Sequence, residues 1–226
     1  MGIKRREFIH MAGFGTLGLL FTGCNFFGES AAPPAVTAEN AGSAPAKAAG
    51  KKILVAFFSR KGDNYEVGYV EKGNTHILAD IIAQELPGAD TFEIRTVKEY
   101  PADYRQCTEE AKAEKEQEAR PLLADKIRNF QDYDTVFLGY PIWWSDLPMP
   151  VYTFLESYDW SGKTVIPFCT SAGDVMTGLE DSVISRHAKG AKVKLPGLGL
   201  SGKKVQQEGE NLRPKVKEWL SQCEVF

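Results

Sequence analysis

Lys51–Ser59 reads KKILVAFFS, with six apolar residues in succession from Ile53 to Phe58 and no polar face. The run is short for a buried helix, and it does not alternate as a half-exposed strand would. Branched and aromatic residues dominate it, so it reads as a strand buried on both faces. Residues 133–143 (YDTVFLGYPIW) and 163–171 (KTVIPFCTS) repeat the pattern. Strands of this kind need layers of helix on either side, which constrains the whole chain.

The intervening segments supply those layers. THILADIIAQEL (75–86) sets Ile77, Leu78, Ile81, Ile82 and Leu86 at helical spacing, with Gly88 as its stop. DTFEIRTV (90–97) alternates imperfectly, as a more exposed strand does. The polar stretch 100–130 repeats Glu and Lys at spacings of three and four, which predicts a solvated helix. Pro121 is expected to break it and start a second helix through Leu123 and Ile127. MPVYTFLESY, TGLEDSVISRHA and NLRPKVKEWLSQC read as helices, and AKVKLPGLGL as a weaker strand. Five strands alternating with helices predict a parallel sheet with right-handed crossovers. Ligands bind such sheets at the carboxyl ends of the strands. Three loops leave the best strands there, beginning at Ser59, Tyr140 and Thr170.

The first loop, SRKGDNYEVGYVEKGNT, offers a helix-start cue twice. Ser59 and Arg60 leave the strand, whereas Gly73, Asn74 and Thr75 directly precede the apolar helix. The second cue is therefore the expected helix start, and both cues are expected to share one phosphate. Lys61–Lys72 becomes an insert carrying Tyr65 and Tyr69. The second loop, GYPIWWSDLPMP, holds Trp143 beside Trp144, and at least one of the two should face a cleft or solvent. The third, TSAGDVMTG, offers small residues and backbone amides and no nucleophile.

Together these segments resemble the flavodoxin family over Lys51–Phe226. The resemblance rests on ILVAFFSR…GNT and on VFLGYPIWWSDLPMPVYTFLESYDWSGKTVIPFCTSAG. It implies a three-layer α/β/α sandwich, a five-stranded parallel sheet in the order 2-1-3-4-5, and non-covalent FMN used for electron transfer. Carried over position by position, Ser59, Arg60, Asn74 and Thr75 surround the phosphate. Pro141, Ile142, Trp143 and Trp144 line the flavin and ribityl chain, and Thr170, Ser171, Ala172 and Gly173 meet the other side of the ring. The chain departs from the family in its expanded phosphate loop and in lacking a stacking Tyr after Thr170. Tyr65 or Tyr69 is a candidate replacement cover, with a surface flap unrelated to flavin as the alternative. An acidic, partly apolar pocket is expected to lower the cofactor's second reduction potential. No catalytic side chain is demanded; His76 and Asp146 read as helix-start and loop-capping residues.

Residues 1–24 read as an export signal. Arg5-Arg6-Glu7-Phe8-Ile9 resembles a twin-arginine motif, and LFTGC resembles a lipoprotein box that would make Cys24 the lipidated N-terminus. The Ala/Pro/Gly/Ser-rich residues 25–50 read as a disordered tether. Net charge is −3, and 23 basic residues face 27 acidic ones from Lys51 onward, which argues against a nucleic-acid partner. Cys107, Cys169 and Cys223 lack the spacing of a metal site or dithiol, and the three histidines are scattered. The leading functional expectation is an exported, membrane-tethered FMN electron carrier serving an unidentified redox protein. An FMN-dependent NAD(P)H:quinone-type oxidoreductase and a flavin-free lipid-anchored binding module are the alternatives.

Overall fold

The computed structural model describes residues 52–178 and 180–224. The expected export signal, Cys24 and the tether lie outside them.

β1 (Ile53–Phe58) is buried at every position. It pairs in parallel with β4 (Asp90–Ile94) on one edge and β5 (Thr135–Pro141) on the other. β5 pairs with β6 (Thr164–Ser171) from Thr135↔Thr164 to Pro141↔Thr170. The fifth position is split. β7 (Lys192–Val193) pairs with the start of β6, and β8 (Leu198–Ser201) pairs with its end. The sheet order is therefore β4-β1-β5-β6-β7/β8, the expected 2-1-3-4-5 arrangement. The single weak strand expected from AKVKLPGLGL is two short ones. Pro196, with no N–H to donate, falls in the gap between them.

Alternate β1 residues face opposite layers. Ile53, Val55 and Phe57 pack with Leu78, Ile81 and Ile82 of α1 (Asn74–Glu85) and with Val216, Trp219 and Leu220 of α6 (Arg213–Gln222). Leu54, Ala56 and Phe58 share the other core with α3 (Met149–Glu156), α4 (Glu180–His187), Phe130 and Trp160. Each large side chain fully buried this way contributes about 1.5–3 kcal/mol. The buried indoles are also satisfied: Trp160 Nε1 donates to Leu155 O at 2.7 Å and Trp219 Nε1 to Pro196 O at 2.9 Å. A further helix, α5 (Gly202–Glu208), escaped the sequence pattern because it is polar; Ser201 Oγ caps it by accepting from Lys204 N.

The polar stretch after β4 forms α2 (Tyr104–Glu116), capped by Asp103. The second helix expected through Leu123 and Ile127 does not form. Instead Val97 N donates to Leu122 O at 2.9 Å and Ala124 N to Arg95 O at 2.8 Å, an antiparallel pairing beyond the end of β4. β4 is an edge strand whose unpaired backbone groups need partners, and this demand overrides helical spacing. The guanidinium of Arg120 anchors the segment through a bidentate pair with Glu156 on α3, at 2.7 and 2.8 Å. His187 Nδ1 lies 2.7 Å from the same carboxylate.

Arg120 holds the Glu156 carboxyl down at about 2. A depressed carboxylate contributes stability above its unfolded pKa, roughly 4.3, that is lost as pH falls through the folded value. Urea denaturation of wild type and Glu156→Gln should therefore show wild type more stable at pH 7, with the difference closing between about pH 4 and pH 2. A constant difference across that range would refute the assignment.

Candidate functional site

The site gathers where β1, β5 and β6 end. α1 begins at Asn74 with Gly73 as N-cap, so the second of the two sequence cues starts the helix. The first cue lies directly against it. A Cβ at Gly73 would sit 2.2 Å from Ser59 Oγ and 2.5 Å from Arg60 O, so no larger residue fits. Ser59 Oγ accepts from His76 N at 3.1 Å, satisfying one amide of the first turn. Thr75 Oγ1 and Thr170 Oγ1 are 2.8 Å apart and tie α1 to the end of β6. The first turn holds no acidic residue and Gly73 supplies no side-chain cap. These amides and the helix dipole favour an anion.

The insert folds as a hairpin, β2 (Gly62–Asn64) against β3 (Gly68–Val70). It is docked, not free. Asp63 N donates to Ala102 O at 2.8 Å. The guanidinium of Arg60 donates from both terminal nitrogens to Asp63 O at 2.7 Å, and from Nη2 to Ala102 O at 3.0 Å. On the far side Gln206 Nε2 bridges Lys72 O and Asn74 Oδ1 at 3.0 and 2.8 Å. The hairpin tip places the Tyr65 ring 6.2 Å from that of Tyr104.

The loop after β5 is a two-residue hairpin turn. Trp143 N donates to Asp146 O at 2.9 Å and Asp146 N to Trp143 O at 3.0 Å. Both central residues, Trp144 and Ser145, have positive φ, 52° and 58°. Such a turn favours Gly or Asn, so this one carries strain. It is held by Lys115 Nζ, which donates to Trp144 O at 2.8 Å, and by Trp144 Nε1, which donates to Thr108 O at 3.0 Å. Asp146 accepts from Leu147 N and the Tyr152 hydroxyl, the loop-capping role expected of it. Trp143 packs edge-on against Tyr100 and Phe58, whereas Trp144 is half exposed. The two tryptophans thus divide as anticipated.

A cavity of about 490 Å³ opens among these loops, a size typical of cofactor sites. Of the expected residues, Arg60, Asn74, Pro141, Ile142, Trp143, Trp144, Thr170, Ser171 and Ala172 line it, and so does Tyr65. Ser59 and Thr75 stand behind the lining in the contacts described above. Gly173 lines an adjoining hollow with Val175 and Met176, and Tyr69 belongs to neither. Asn64, Tyr104, Cys107, Thr108, Ala111 and Gly202 complete the wall and were missed. Four of these follow one face of α2 at positions 104, 107, 108 and 111. That uncharged stripe in a charged helix was the available signal. His76 is outside the lining, between Asp80 and Glu93.

The expected acidic pocket is corrected. The lining contains no Asp or Glu, and its one ionised side chain is the cation Arg60. Acidic residues of α2 that contribute to the negative balance point elsewhere: Glu110 pairs with Lys98, and Glu114 accepts from the Tyr100 hydroxyl at 2.6 Å. Arg60 Nε is buried without an acceptor, and among the described residues no carboxylate pairs with Arg60. An unpaired cation, open helix amides, hydroxyls and four aromatic rings suit a phosphate-bearing planar cofactor. Cys107, Cys169 and Cys223 are buried thiols outside any disulfide. Among the described residues no cluster of His, Cys, Asp or Glu could hold a metal, and no helix could cross a membrane.

Comparison with known proteins bears on the family and the fold. A family model described as flavodoxin matches residues 52–223. A candidate flavoprotein from Bacteroides uniformis is 30% identical with a TM-score of 0.58, the alignment covering 76% of this chain and 99% of that one. A candidate flavoprotein from Bacteroides eggerthii is 28% identical with a TM-score of 0.56, covering 76% and 97%. No curated protein matches the chain.

Burial pushes the Cys107 thiol up to about 11, against the opposing pull of Arg60. At pH 8 its thiolate should be roughly 100-fold scarcer than that of an ordinary thiol. Alkylation followed by peptide mapping should find Cys107 slow to react, and slower still with FMN in the cavity it lines. Labelling at the rate of a free cysteine, unaffected by FMN, would contradict this placement.

Proposed function

The chain belongs to the flavodoxin family, with FMN as its cofactor, and from that premise we propose that it is an electron carrier whose protein groups bind and orient the flavin without catalysing a reaction of their own. The observation that carries this reading is the cavity wall: one cation, hydroxyls, two amides, a buried thiol and aromatic rings, with no carboxylate or imidazole to move a proton. FMN supplies the redox chemistry when bound, and the protein supplies position and electrostatics.

The residues divide the work. Arg60, Asn74 and the first-turn amides of α1 suit the phosphate. Thr170 and Ser171 line the cavity with hydroxyls. Trp143, Trp144 and Ile142 offer apolar surface for the ring, and Tyr65 with Tyr104 offers a second aromatic wall. Tyr65 is thus the better of the two candidate covers for the flavin. Within the same proposal, the amino-terminal twin-arginine and lipobox-like sequences support an exported carrier tethered to a membrane through Cys24, with a redox protein of the cell envelope as its partner.

Purified protein should be yellow and should take up FMN stoichiometrically. Trp144→Ala should weaken FMN binding about 3- to 10-fold, as expected for losing one aromatic contact worth about 0.5–1.5 kcal/mol. Fluorescence titration measures this directly. Steady-state oxidation of NAD(P)H with a quinone should not exceed that of free FMN. Turnover well above that background would replace the carrier reading with an oxidoreductase.

A further inference from the structure

Arg60 is placed unusually for a residue expected only to meet a phosphate. Its terminal nitrogens are already engaged with two backbone carbonyls, Asp63 O within the hairpin and Ala102 O ahead of α2. It lines the cavity, its Nε is buried with no acceptor, and among the described residues no carboxylate pairs with it. A buried N–H of a cation left unpaired is costly, so the arrangement is short of one anionic partner. The hairpin meanwhile has little core of its own. Among its residues, Val70 is buried, while Tyr65 and Tyr69 are largely exposed. Its position therefore depends on the contacts with Ala102 and Gln206.

We propose that Arg60 is a positioning residue that couples the cofactor's phosphate to the Lys61–Lys72 hairpin, and so sets Tyr65 against the cavity. This rests on FMN being the ligand and goes beyond it. The same guanidinium clamps the hairpin with three of its five N–H donors, all on the terminal nitrogens, and keeps its charge for the phosphate. A phosphate there neutralises the cation and restrains the side chain, and the restraint passes to Asp63 O and Ala102 O. Gly62 reinforces the joint: its φ is +100° and a Cβ would come within 2.6 Å of Ala102 O, so the hairpin sits in direct backbone contact. The consequence is discrimination. A flavin without a phosphate can fill the aromatic half of the cavity but cannot tighten the hairpin.

The test compares FMN, riboflavin and inorganic phosphate on the full chain, using fluorescence titration for affinity and hydrogen exchange for residues 61–72. FMN should slow hairpin exchange in wild type by about tenfold, roughly one charge-assisted hydrogen bond's worth. Riboflavin should not, and phosphate alone should do so in part. Arg60→Ala should lower FMN affinity roughly 10- to 100-fold, toward that of riboflavin, and make hairpin exchange indifferent to either flavin. Arg60→Lys should retain a preference for FMN through its charge yet lose the slowing, because an ammonium cannot span both carbonyls. Gly62→Ala keeps Arg60 but disturbs the joint; it should speed hairpin exchange while sparing the preference for FMN, which serves if Arg60→Ala does not fold. Equal slowing by FMN and riboflavin would overturn the coupling, as would FMN-specific slowing that survives in Arg60→Ala. Tight FMN binding without any change at 61–72 overturns the coupling alone. Failure to bind either flavin overturns the cofactor reading and the coupling together.

Discussion

Six consecutive residues of β1 are buried, and their backbone groups bond to strands on both edges. Such a strand has no face left to show to solvent, so whatever the sheet presents to a ligand must come from where its strands stop. β5 and β6 obey the same rule and stop at the same level, their last pair being Pro141↔Thr170. Three loops are thereby brought together although they are far apart in sequence. The Thr75–Thr170 hydroxyl contact spans 95 residues and sits at this junction. The position of the candidate site thus follows from a packing requirement.

What was legible in the sequence follows from that division. The three apolar runs and the amphipathic α1 pattern identify the sheet and its layers, since burial on both faces leaves an unambiguous trace. The residues of the three loops were legible through family resemblance, and nine of the twelve expected cofactor residues line the cavity. Long-range pairing was not legible. Nothing local in Arg120–Ala124 announces that it will complete an edge strand, because the cause lies in the unpaired backbone of β4. The contribution of α2 was obscured for a related reason. Its charges dominate the composition, while the face that lines the cavity is uncharged: Tyr104, Cys107, Thr108 and Ala111. Net charge misled in the same way: the acidic surplus of the chain is spent on surface pairs and does not reach the cavity lining.

The hairpin shows how an insertion becomes part of a site. Loops of this length are tolerated at surfaces at modest entropic cost, about 0.6 kcal/mol for each doubling. This one is held from both sides by side chains outside the hairpin, Arg60 and Gln206, and it carries an aromatic residue to a wall that the loop after β6 leaves without one. In the structure, then, the added segment contributes Asn64 and Tyr65 to the cavity wall.

The left-handed pair Trp144–Ser145 carries a thermodynamic consequence. Two non-glycine residues in that region cost of order 1–3 kcal/mol each, a sizeable share of the stability of an ordinary domain. That energy is charged against folding whether or not a flavin is present, because Lys115 and Thr108 hold the turn within the protein itself. The wall is therefore built before the cofactor arrives, which spares binding the work of shaping it. The fold is correspondingly less stable than its packing would allow, with or without ligand, and ligand occupancy adds stability separately, by mass action. A chain that carries this standing cost leans the more on its cofactor to stay folded.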